Sequence, residues 1–200
     1  MDVVMTYQSI AVAVQAEFKD RGSKFLAYVY PIHAVEDVKE YLQQLKKEHP
    51  KAVHHCYAYR LGVEGVQYRA NDDGEPSGSA GRPILGQIDS AGLTNVLAVV
   101  VRYFGGTLLG VPGLINAYKT SVADALLQAE KVEKNIETII TLEFDYNIMN
   151  EVMLVLKQHD ASILQQEMQL FCAVKAGIPL KHMASCEHKL NNIYGLEWKK

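Results

Sequence analysis

The segment Asn71-Asp72-Asp73-Gly74-Glu75-Pro76-Ser77-Gly78-Ser79-Ala80-Gly81-Arg82-Pro83 places three carboxylates within four residues. Charges this close repel one another unless something positive stands near. The segment therefore calls for a cation or a partner's basic side chain, or else it is a solvated acidic turn. As a metal site the turn reading is the better one: the carboxylates do not alternate as calcium-loop ligands do, and position 82 is an arginine. A serine-hydrolase elbow fails too, because Ser77 stands where the first glycine of G-x-S-x-G belongs around Ser79.

A second segment, Arg102-Tyr103-Phe104-Gly105-Gly106-Thr107-Leu108-Leu109-Gly110-Val111-Pro112-Gly113, follows an apolar run and precedes a helical pattern, the position that phosphate loops occupy. Gly105 and Gly110 have the glycine spacing of a P-loop, but Val111 and Pro112 replace the lysine and the hydroxyl residue that hold phosphate and magnesium. Nucleotide hydrolysis is thereby discounted. Two readings stay level: glycine amides holding an anion with Arg102 as counter-charge, or glycines that permit tight packing and positive φ. Alternation places one of Tyr103 and Phe104 inward and the other outward. An outward ring stacks on a base or anchors a partner; inward, both rings cap the core. His54-His55-Cys56 lacks metal-ligand spacing, so packing roles are favoured. No metal and no cofactor are expected, and no catalytic residue is assigned.

Regular elements must position these segments. Residues 8–18 alternate as one half-buried strand, Phe25–Ile32 reads as an inner strand, and Val35, Val38, Leu42 and Leu45 recur at helical spacing until Pro50. Strands follow over 53–61 and 66–70, a short helix around 84–88, an apolar strand over 96–101 and a long helix over 114–129. A new pattern from about residue 135 reads βαββαβ, the ferredoxin-like order. The expected class is thus α+β, with domains at 1–134 and 135–200. Forty-eight percent apolar and 22% charged residues suit a globular chain. No apolar run is long enough to span a membrane, and no signal-peptide plan opens the chain. Cys56, Cys172 and Cys186 are odd in number and dispersed, so a cytoplasmic location with reduced thiols is expected. The net charge is −3, with 14 basic against 15 acidic residues over 1–134 and 6 against 8 over 135–200. Neither part has the basic excess of a typical nucleic-acid binder. All five arginines fall in the first part, where planar recognition of phosphate or carboxylate is most plausible.

The strings His54-x-Cys56-x-Ala58, Asp72 to Leu85, Val101-Arg102-Tyr103-Phe104-Gly105-Gly106-x-x-Leu109-Gly110 and Gly113-Leu114-x-x-Ala117-Tyr118 resemble the YigZ/IMPACT family. The resemblance implies an N-terminal two-layer α/β domain like the second domain of a small-subunit ribosomal protein, followed by a ferredoxin-like domain similar to late domains of elongation factor G. It also implies a translation link, since eukaryotic relatives act as translation regulators by competing for a protein that activates a stress kinase. Carried over by position, the implied ligand-binding surface comprises Asp72, Asp73, Glu75, Ser77, Arg102, Tyr103, Phe104, Gly105 and Gly106. Asn116 stands where the family commonly has arginine, which weakens any anion site that depends on that position.

Two functions follow as expectations. The first is a non-enzymatic, translation-linked regulatory protein that contacts RNA or a ribosome-associated protein. The second is an enzyme acting on a phosphate-bearing, anionic small molecule, with Asp72, Asp73 and Glu75 as acid, base or cation holders and Arg102 as anchor. The second requires both loops to face one cleft.

Overall fold

A computed structural model describes residues 4–200. The chain divides into two compact units. The larger is Tyr7–Lys134, and the smaller is Asn135–Lys200 together with the residues up to Thr6. The elements of the first stretch are β1 (Thr6–Ile10), β2 (Val14–Asp20), β3 (Ser23–Pro31), α1 (Val35–Glu48), β4 (His54–Leu61), β5 (Gln67–Asn71), α2 (Gly81–Ser90), β6 (Val96–Tyr103), α3 (Gly110–Leu127) and β7 (Lys131–Asn135). Then come β8 (Glu137–Asp145), α4 (Met149–Gln158), β9 (Ser162–Met168), β10 (Phe171–Pro179), α5 (Leu180–Leu190) and β11 (Leu196–Lys199).

In the larger unit the sheet order is β2-β3-β6-β4-β5. β6 is central because its sequence is apolar on both faces. Val96, Ala98 and Val100 pack under α2 and α3, while Leu97, Val99 and Val101 pack under α1. Alternation sends Arg102 to the α3 side and Tyr103 to the α1 side. The two-layer arrangement of α2 and α3 on the sheet thus carries α1 in addition on the opposite face. α1 starts where the Asp37 carboxylate accepts the amides of His33 and Ala34 at 2.6 and 3.1 Å, and Lys46 and Lys47 in its last turn suit the helix dipole.

Three boundaries differ from the sequence reading. The run 8–18 is two strands, not one: β1 pairs with β7 while β2 pairs with β3, and Val12 in the gap is 62% exposed. α2 begins at Gly81, three residues before the short helix expected around 84–88, with Pro83 in its first turn, where proline's missing N–H costs nothing. α3 begins at Gly110, four residues before the apolar periodicity starts, with Pro112 likewise in its first turn.

The smaller unit is a four-stranded sheet of order β11-β8-β10-β9, with all three neighbouring pairs antiparallel. This is the βαββαβ ferredoxin-like arrangement. Ile140, Leu142, Phe144, Val174 and Ile178 face α4 and α5, and the intervening Ile139, Glu143 and Lys175 are exposed on the other face. All three cysteines are free and buried. No helix among the described residues is long and apolar enough to cross a membrane.

Candidate functional site

Strand register assembles the site. Phe18 of β2 opposes Phe25 of β3, Phe25 opposes Arg102 of β6, and Arg102 opposes His54 of β4. These four side chains form one row across the α3-covered face, at the end of the sheet where the two loops lie.

The loops meet in a buried ion pair. Arg102 donates through Nη1 to Glu75 Oε1 at 2.5 Å, with side chains only 7% and 3% exposed. The Tyr118 hydroxyl, from α3, donates to the same oxygen at 2.7 Å. Behind it the Cys56 thiol lies 3.3 Å from the Tyr118 hydroxyl and 2.9 Å from the carbonyl oxygen of Asp72. Burial pushes both the Cys56 thiol and the Tyr118 hydroxyl well above their ordinary values, so both stay protonated as donors. The guanidinium lies between two rings, 5.5 Å from the Phe25 centroid and 5.8 Å from that of Phe104. Phe25 in turn meets Tyr118 edge-on at 5.2 Å.

The other two carboxylates turn inward. Asp72 accepts the amides of Gly78, Ala80 and Gly81 at 2.8–3.0 Å, which closes the loop and caps the approach to α2. Burial pushes the Asp72 carboxyl up, but these amides outweigh it and hold it below the usual carboxylate range. Asp73 accepts the amide of His55 at 2.7 Å, and its carbonyl receives His54 Nδ1 at 2.7 Å. That bond makes Nδ1 the protonated nitrogen of a neutral His54 ring. The three carboxylates therefore do not converge. Among the described residues no three His, Cys, Asp or Glu side chains are placed to hold a metal ion.

Glu75, Arg102 and Phe104 line one cleft of about 460 Å³, with Val53, His54, Pro76, Leu108, Val111 and neighbouring residues. Its rim is apolar: Leu108 is 81% and Phe104 51% exposed. Of the nine residues expected from sequence, Glu75 and Arg102 form the floor and Phe104 a wall. Ser77 is exposed nearby on the acidic loop. Tyr103 lies on the opposite face of the sheet, where His49 Nδ1 is 2.9 Å from its hydroxyl. Gly105 packs on the β2–β3 turn: a Cβ there would sit 1.9 Å from the carbonyl carbon of Gly22, and its amide donates to Ser23 Oγ at 3.1 Å. Gly106 has a φ of +85°. These two glycines therefore do structural work that accounts for their type. Asn116 is exposed and does not line the cleft. Sequence reasoning did not place Tyr118, Cys56, Leu108 or Val111 in the site. The strand pairing of β4 brings Cys56 there and the packing of α3 on the sheet brings Tyr118, while the unbroken apolar pair Leu108-Leu109 inside a glycine loop was a signal available in the sequence.

The larger unit is a sheet-based α/β fold with an ion-paired cleft, and the loops around that cleft carry its distinguishing strings. The Impact N-terminal domain model matches residues 21–126, and the chain belongs to the IMPACT family. It is 36% identical over 172 residues to the IMPACT family member YigZ of Escherichia coli, covering 85% of this chain and 84% of that one. Protein IMPACT of Rattus norvegicus is 36% identical over 104 residues, covering 50% of this chain and 32% of that protein. A crystal structure of a hypothetical protein superposes with a TM-score of 0.78 at 32% identity, covering 98% of this chain and 97% of that one.

Proposed function

We propose that this chain is a non-enzymatic regulatory protein linked to translation, and that it holds a ribosome-associated protein through the cleft of its larger unit. Membership of the IMPACT family supports the translation link, through the regulatory role that the resemblance implies for eukaryotic relatives. The observation that carries the choice of a protein over RNA is the state of Arg102. Its charge is buried and already paired with Glu75, beneath an apolar rim. RNA binding needs cations free to neutralise phosphate, and the net charge of −3 offers no excess. Exposed aromatic and aliphatic side chains around a concave floor suit an apolar segment of a protein.

The enzyme alternative keeps its geometric requirement, because the two loops do share a cleft. It loses Asp72 and Asp73, which backbone amides occupy. Co-sedimentation with purified ribosomes tests the proposal, with protein-free ribosomal RNA in parallel at low and high salt. The expected result is ribosome capture that persists in high salt and is lost in Leu108→Asp. That exposed residue changes stability by no more than about 0.5 kcal/mol, so lost capture is not unfolding. Salt-sensitive capture of the bare RNA, unchanged by Leu108→Asp, overturns the protein reading. So does an absence of ribosome capture.

A further inference from the structure

One residue of the cleft holds a polar atom that the fold leaves unused. His54 stands beside Arg102 in the row across the sheet and lines the cleft. Its Nδ1 donates to the Asp73 carbonyl at 2.7 Å, which leaves Nε2 of the neutral ring as an acceptor. Gly74, at a φ of +89°, brings the loop against the same edge of the ring: a Cβ there would lie 3.3 Å from His54 Cε1 and 3.4 Å from Nδ1. The carbonyl and the loop thus occupy one edge and fix the tautomer. Among the described residues the sealed side-chain atoms without a partner are His55 Nε2 and Arg102 Nε. His54 Nε2 is not one of them and makes no hydrogen bond there, so it is an open acceptor on the remaining edge.

The neighbours limit what meets that acceptor. Arg102 and Glu75 stand paired on the floor, so an incoming cation faces the guanidinium and an incoming anion faces the carboxylate. A neutral donor escapes both. The indole of tryptophan is such a group: its N–H donates and it has no acceptor of its own to satisfy, whereas a phenol hydroxyl or an amide brings lone pairs that also need a partner. The walls Phe104, Leu108, Val111 and Val53 cover an apolar body, and Phe104 offers a ring for an aromatic pair. The volume of about 460 Å³ falls in the range of small-ligand sites. Tryptophan is also among the residues that anchor protein interfaces. We infer that the cleft takes a tryptophan side chain of its protein partner, the indole N–H donating to His54 Nε2 and the ring lying against Phe104. The inference rests on the reading of this cleft as the partner-binding surface and names the residue that anchors the partner there.

The test uses a short peptide with one central tryptophan and the same peptide with 3-benzothienylalanine, in which sulfur replaces the indole N–H at nearly unchanged shape. Calorimetric titration reads the affinity, and the imidazole nitrogen resonances of His54 read the contact. The expected result is that the tryptophan peptide binds at least about fivefold more tightly, as one hydrogen bond to a covered acceptor requires. It should also shift the Nε2 resonance, which the benzothienyl peptide leaves in place. His54→Phe keeps a ring and removes the acceptor, and it should bring the two peptides to equal affinity. The comparison of the peptides on the unaltered protein does not depend on how that variant folds. 3-Methylindole represents a small-molecule source: weaker binding than the tryptophan peptide supports a partner's side chain, and binding as tight overturns it. Equal affinity of the two peptides for the unaltered protein, a preference that survives His54→Phe, or no binding of either peptide overturns the inference. If any of these occurs while Leu108→Asp still abolishes ribosome capture, the cleft keeps its protein partner and only the tryptophan anchor falls. An absence of ribosome capture by the unaltered protein strikes the underlying reading instead.

Discussion

The two units bury polar groups in opposite ways. Among the described residues of the smaller unit, the buried polar residue is His159, and its needs are met locally: Nδ1 lies 2.7 Å from the Val155 carbonyl and Nε2 3.1 Å from Ser185 Oγ. The larger unit buries Arg102, Glu75, His55 and Ser79 among others, and its central chain runs from Arg102 through Glu75 and Tyr118 to Cys56, crossing loop, sheet and helix. Apolar side chains of similar volume fill a core at no desolvation cost, whereas a buried ion pair recovers that cost only with good geometry. The smaller unit shows what this chain does where only packing is required. The larger unit departs from that economy beside its cleft, at the surface proposed to hold the partner.

The largest expected effect tests that contrast directly. Arg102→Ala leaves Glu75 buried without its cation and should cost the larger unit about 3–5 kcal/mol in denaturant unfolding. The double variant Arg102→Met with Glu75→Gln removes both charges, while the amide oxygen of the introduced glutamine still accepts the Tyr118 hydroxyl. It should recover more than about 2 kcal/mol of that loss, yet leave ribosome capture impaired. A double variant as unstable as the single one would mean that the pair holds the fold, and the contrast between the units would then carry no functional lesson.

Most of the scaffold was legible in the sequence, because burial imposes periodicity. The helical spacing of Val35 to Leu45, the two-faced apolar run of β6 and the alternation in β8 and β10 each name their element. What escaped depends on partners far along the chain. Alternation across Ile10, Val12 and Val14 continues through a point where the strand changes partner, and only the separate pairings with β7 and β3 break it. The site escaped in the same way. Three carboxylates in four residues looked like one cluster, but the positive φ of Asp73 and Gly74 turns the chain so that Asp72 and Asp73 serve backbone amides and Glu75 alone reaches Arg102, 27 positions away.

A second, smaller effect separates packing from binding within the glycine loop. Gly105→Ala forces a Cβ against the backbone of Gly22 and Ser23, where neither neighbour is the end of a flexible side chain. It should destabilise the larger unit by about 1–3 kcal/mol. Gly106→Ala meets nothing within 4 Å and carries only the strain of its positive φ, about 1 kcal/mol. Thermal unfolding should therefore rank Gly105→Ala below Gly106→Ala, and equal midpoints would show that the β2–β3 turn yields.

The smallest effect is a difference in acid response. His55 is buried with Nε2 unpartnered. Burial lowers its affinity for a proton, against an opposing pull from Asp73. Its stabilising contribution is therefore complete above its ordinary value of 6.5 and is lost as the pH falls through its lower folded value. Asp72 acts in the same direction at lower pH. Its carboxyl is held below the ordinary 3.8, so that contribution is complete above about 3.8 and is lost as the pH falls from there through the folded value. Amide exchange followed from neutral pH downward should show protection in the larger unit falling in two steps, the first below about 6.5 from His55. Asp72→Asn keeps a carbonyl oxygen for the amides but loses its charge, which should cost about 1 kcal/mol at neutral pH and flatten the lower step while leaving the upper one. Loss of the upper step in Asp72→Asn would assign the whole acid response to the loop and remove His55 from the account.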